Sequence, residues 1–137
     1  MATIFETEGA TLIDIRAEAL INQAFLRVIR TGPRQQIAVM TLPPETEIGD
    51  QVRPQTDQLF VVVEGVGEAR LGDLELAIQA GDLLPVDAGT RYDIVNRATL
   101  PLRLIAVLTP PAYAPGTAVD TLETHEARPP ERWHPFP

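Results

Sequence analysis

Between residues 25 and 108, apolar and polar positions alternate in short runs, with turn residues every eight to twelve positions. Alternation with period two marks a strand with one face in a core. The runs predict strands over 25–30, 36–42, 59–63, 67–71, 74–79, 83–86, 91–96 and 102–108, with a short extended run over 51–53. Thr31-Gly32-Pro33 joins the first two, and Pro43-Pro44 breaks the pattern after the second. Glu64-Gly65, Gly72-Asp73 and Gly81-Asp82 supply later corners. Many short strands at this spacing predict an all-β sandwich or barrel.

One stretch, 15–23, reads as a short helix, with Asp14 as its N-cap and apolar residues at 15, 19, 20 and 21. From Thr109 onward lie seven of the thirteen prolines. That composition predicts an extended arm over the domain surface or a neighbouring subunit, partly flexible at its end. The expected organisation is an N-terminal extension (1–24), one β-barrel domain (25–115) and a Pro-rich C-terminal arm (116–137).

Composition then removes whole classes of chemistry. The chain has no cysteine, lysine or serine, so disulfides, thiolate metal sites, Schiff bases, P-loops and Ser–His–Asp triads are excluded. All eleven cations are arginine, against nineteen carboxylates, for a net charge of −8. This balance, without a basic cluster, argues against nucleic acid and anionic membrane as partners. No apolar run approaches the ~20 residues of a membrane span, and the first residues lack the pattern of a secretory signal. A cytoplasmic protein is expected. Both histidines, His125 and His134, fall in the tail and read as exposed, leaving the body without its commonest metal ligand. Trp133 is either an anchor of the tail or an exposed ring.

Two segments carry a recognisable spacing. The first contains Gln51, Arg53 and Gln58, with Gly65 seven residues after Gln58. The second is Gly81, Asp87, Gly89, Tyr92 and Asn96, at intervals of six, two, three and four. From about Gln35 to Gly116 the chain resembles the small single-domain cupins, jelly-roll β-barrels. The second segment matches that family's second motif, with Asp87 for its proline and Tyr92 for its histidine. In the first motif, Gln51 and Arg53 stand at the histidine-type positions and Gln58 at the Glu/Gln position. Glu45 stands where the motif begins with glycine. The resemblance implies a barrel whose metal-ligand histidines have been replaced, and many cupins are homodimers, which is the assembly expected here.

Strand parity adds geometry. Residues two apart share a face, so Gln51 and Arg53 enter the barrel together, as do Gln58, Phe60 and Val62, and Tyr92, Ile94 and Asn96. If those faces are inward, Gln51, Arg53, Gln58 and Tyr92 converge at one barrel end, beside Phe60 and Met40. Arginine is always cationic and has no lone pair for a metal, so neither a metal nor another cofactor is expected. Arg53 either pairs internally, with Asp57 or Asp93 as the near carboxylates, or holds an anionic ligand group. Parity points both aspartates outward. Tyr92 is either a hydrogen-bond donor to a ligand or part of the packed core.

The leading expectation is a metal-free barrel binding a small organic acid or polar metabolite through Arg53, with Gln51, Gln58, Tyr92, Phe60 and Met40 lining the site and no catalytic residue assigned. Its rivals are a cupin-type isomerase, a metal-dependent oxygenase, and a non-catalytic dimeric structural or accessory module. The isomerase needs a base beside Tyr92, and the oxygenase lacks histidines.

Overall fold

The structure is a computed structural model, and it describes residues 4–120. His125, Trp133, His134 and the rest of the arm beyond residue 120 lie outside the described residues.

The chain forms thirteen short strands and one helix among the described residues. They are β1 (Ile4–Thr7), β2 (Ala10–Ile13), α1 (Ile15–Ile21), β3 (Leu26–Thr31), β4 (Gln36–Leu42), β5 (Thr46–Glu47), β6 (Gln51–Val52), β7 (Asp57–Glu64), β8 (Val66–Leu71), β9 (Leu74–Gln79), β10 (Leu83–Val86), β11 (Arg91–Asn96), β12 (Leu102–Thr109) and β13 (Ala118–Val119). The pattern expected from alternation between 25 and 108 is present, with β4, β9, β10 and β11 at the expected bounds. The helix stops at Ile21, two residues short of expectation, because Asn22 turns extended and hydrogen-bonds the Ala24 carbonyl. Its start is as expected, with the Asp14 carboxylate accepting from Ala17 N at 3.2 Å.

Two antiparallel sheets face each other across the core, as a jelly roll requires. One runs β10-β7-β12-β4-β3-β13, and the other β5-β11-β8-β9, with β6 also paired to β11. Leu26, Met40, Leu42, Phe60, Val62, Ile94, Leu102, Leu104 and Leu108 are nearly fully buried between them. On the outer face of the larger sheet, α1 lays Ala19 against Val39 and Ile105, flanked by Ile15, Val61 and Val63. The Arg27–Glu18 ion pair at 3.2 Å and Arg103 donating to the Asn22 carbonyl fasten that helix down. No helix of the described residues is long and apolar enough to cross a membrane.

Two motif positions explain themselves in the fold. Gly65 has φ +97°, and a Cβ there would lie 2.6 Å from the Pro101 carbonyl oxygen, so only glycine fits. Asn96, fully buried, donates to the carbonyls of Leu42, Pro43 and Leu100 and accepts from Ala98 N. It pins the β11 end to the β4 exit and the loop before β12, which is a structural duty.

Candidate functional site

The site is assembled from six strands, β3, β4, β6, β7, β11 and β12, and from the connecting segments that carry Ile48, Arg53 and Tyr113. Register places Tyr92 of β11 directly opposite Gln51 of β6, while β7 brings Gln58 and Phe60 in from the facing sheet. Inward parity holds on each strand: Gln58, Phe60 and Val62 are buried, and so are Tyr92, Ile94 and Asn96. The Phe60 and Tyr92 rings meet at 5.6 Å between centroids with a 46° tilt, a favourable aromatic contact. Leu26, Met40, Ile48, Gln51, Gln58, Phe60, Tyr92, Ala106, Leu108 and Tyr113 line one cavity. Five of the six residues expected at the site therefore share its wall.

Arg53, the sixth, stands just behind that wall. The residue is buried, at 7 % exposure, and its Nε donates to Gln58 Oε1 at 3.2 Å. Its Nη2 donates to the Tyr113 hydroxyl at 2.5 Å, with its carbon 4.8 Å from that ring's centroid. Neither aspartate reaches it. Asp57 accepts from Ala88 N at 2.8 Å, and Asp93 accepts from Gly49 N at 2.9 Å on the outer face. Among the described residues Arg53 has no ion-pair partner, so its charge is met only by neutral oxygens and a ring.

The polarity of the corner follows from that one cation. Arginine can only donate, so the Gln58 atom facing it must be the oxygen. Tyr92 OH donates to the same Oε1 at 3.0 Å. The Gln58 oxygen is thus used twice, and its amide nitrogen remains as a donor toward the cavity. Burial pushes the Tyr92 phenol up from its ordinary value, against the opposing pull of Arg53 and the Gln58 bond. Tyr92 is accordingly neutral at physiological pH, and Asp93, whose charge pushes the phenol up further, turns its carboxylate to Gly49 N and not to the Tyr92 hydroxyl.

Divalent metal chemistry does not fit these donors. A cation at the motif position would meet a guanidinium, and the Gln58 oxygen already accepts from both Arg53 and Tyr92. Among the described residues, no group of three or more His, Asp or Glu side chains could hold a metal.

Tyr113 is the residue of this wall and partner of Arg53 that the sequence reading missed. It lies in the segment after β12, and its contact with Arg53 spans sixty residues. Gln36, fully buried at the start of β4, holds it there: Gln36 Nε2 donates to the Tyr113 carbonyl at 2.8 Å, while Oε1 accepts from Ala112 N and Tyr113 N. The available signal was compositional, a lone aromatic among prolines that must bury its ring somewhere.

A two-sheet jelly roll with a closed polar corner at one end defines a small β-barrel of the cupin class. Comparison with known proteins agrees: the family model of the cupin domain (Cupin_2) matches residues 38–108. The chain belongs to that family. It is 30 % identical over 109 residues to the uncharacterised protein L612 of Acanthamoeba polyphaga mimivirus, covering 77 % of this chain and 68 % of that one. It is 25 % identical over 116 residues to the uncharacterised protein YrkC of Bacillus subtilis (strain 168), covering 80 % and 62 %. Among solved structures, BH2720 of Bacillus halodurans superimposes with a TM-score of 0.83 at 27 % identity, covering 85 % of this chain and 93 % of that one.

Proposed function

We propose that this cupin binds a small organic acid or polar metabolite in its barrel without a metal, and that Arg53 supplies the charge that selects the ligand. The observation carrying this reading is a buried guanidinium with no carboxylate partner among the described residues, bonded to two residues of the cavity wall. Burying an ion without a counter-ion costs several kcal/mol, and an incoming anion offsets that cost. Gln58 and Gln51 give neutral hydrogen-bonding groups, and Phe60, Met40, Leu26 and Leu108 give an apolar floor. A thermal-shift screen with small carboxylic acids tests the reading. At least one acid should raise the melting temperature of the wild type, and Arg53→Ala should abolish that rise. A screen without a hit, or one that Arg53→Ala leaves unchanged, removes the anion site.

A further inference from the structure

The free space at the centre of the cavity is about 10 Å³, the room one water needs. An organic acid therefore enters only if some part of the wall yields. Eight of the ten lining residues belong to strands, and Ile48 and Tyr113 do not. Ile48 is tied to β11 by its backbone N–H, which donates to the Ile94 carbonyl at 2.9 Å. The Tyr113 backbone belongs to no strand and is bonded by a side chain, that of Gln36. Moving it disrupts no strand pairing.

We propose that Tyr113 is the specificity-determining residue of this site: its phenol oxygen occupies the place on Arg53 that a ligand carboxylate takes, and its ring occupies the space of the ligand's body. The inference rests on the acid-binding reading above and names the acid's class. Tyr113 is itself a template for the guest. It sets an oxygen on the guanidinium and an aromatic ring into the same core cluster as Leu26, Met40 and Leu108. Exchange of phenol for carboxylate replaces a neutral oxygen on Arg53 by a charged, bidentate one, which is the stronger partner. Arg53 is the single cation whose side chain bonds a residue of this wall among the described residues, so the site matches one carboxylate and leaves a second without a counter-charge. The ligand class is a monocarboxylate with a compact apolar body, no larger than a phenyl ring.

The test uses benzoate and isobutyrate as probes, with malonate as the doubly charged comparison. Binding to the full chain is measured by titration calorimetry and by NMR of ring-labelled tyrosine, where Tyr92 and Tyr113 are the only two signals. Tyr113→Phe keeps the ring and removes the competing oxygen, so it should bind benzoate about tenfold tighter than the wild type. In the wild type, benzoate should move the Tyr113 ring signal strongly and that of Tyr92 little, and malonate should bind more weakly than either monocarboxylate. If an acid binds and Arg53→Gln abolishes it, while Tyr113→Phe weakens or does not change binding, the phenol is no placeholder and this inference alone is overturned. If neither the wild type nor Tyr113→Phe binds any probe, the acid-binding reading falls with it. A Tyr113 ring signal that stays still on benzoate saturation also sinks the exchange, whatever the variants do.

Discussion

Glu45 is the one described non-glycine residue with positive φ, at +61°. It follows Pro44 in the tight turn between β4 and β5, the place in a turn where positive φ favours glycine. The cupin motif begins with glycine at this position, and the backbone shows why: the turn keeps its left-handed residue although the side chain has changed. A non-glycine residue held there costs on the order of 1 kcal/mol. Glu45→Gly should therefore raise stability by up to about 1 kcal/mol, read as a rise of a few degrees in melting temperature. An unchanged or lower melting temperature means that the glutamate side chain makes compensating contacts. At this scale the sequence was half legible. Gln51, Gln58, Phe60, Tyr92 and Met40 could be placed because strand parity is a local rule. Tyr113 could not, since its position depends on a buried glutamine far away on β4 and on an arm with no period to read. That Arg53 bonds Gln58 and Tyr113, and neither Asp57 nor Asp93, was equally hidden, because Tyr113 lies sixty residues away in the chain.

Elements were legible in proportion to how much of one face they bury. β4, β7, β11 and β12 alternate against a core and stand out. The hairpin of β1 and β2 escaped notice because nearly every residue in it is exposed or half-exposed, so no apolar face marks it. β5 and β13, two residues each, are too short for any periodicity. The junction of β5 with β11 carries a titratable contact of its own. Asp93 points to the outer face with only 5 % exposure, and Gly49 N donates to it. Burial first, and then the facing carboxyl of Glu47, push the Asp93 carboxyl from 3.8 up to about 6, against the Gly49 bond. The folded chain thus holds a proton here that the unfolded chain has released, across the window from about 4 to 6. Stability contributed by this group falls as pH rises through that window and stays lower above it. Asp93→Asn keeps an oxygen for Gly49 N and offers an amide to Glu47. The variant should exceed the wild type by roughly 1–3 kcal/mol at pH 7.5, with the gap closing near pH 4. Denaturant melts of both proteins across that range check it, since their difference cancels the other carboxylates. A gap that is flat with pH contradicts a titrating Asp93.

The whole molecule separates a fold from the chemistry that usually accompanies it. Gly65, Asn96 and the turn at Glu45 build the barrel, and they serve that purpose with or without a metal. Gln51, Arg53, Gln58 and Tyr92 bring side chains together, and here those side chains are a guanidinium, two amides and a phenol. The motif correspondence implies a backbone that can still present three histidines at positions 51, 53 and 92 to one centre. Replacing Arg53 and Tyr92 removes both donors from Gln58 Oε1 and frees it as a fourth ligand. The triple variant Gln51→His, Arg53→His, Tyr92→His should take up one Zn²⁺ or Mn²⁺ per chain after dialysis, measured by elemental analysis, while the wild type takes up none. Imidazole is a far better partner for such ions than amide or phenol, and removing the cation ends the local repulsion. The bound ion should also raise the variant's melting temperature, because a ligand that binds only the folded state stabilises it. A triple variant that keeps its β-sheet circular dichroism and yet retains no metal shows that the side chains at 51, 53 and 92 do not point at one centre, and the motif correspondence is then wrong.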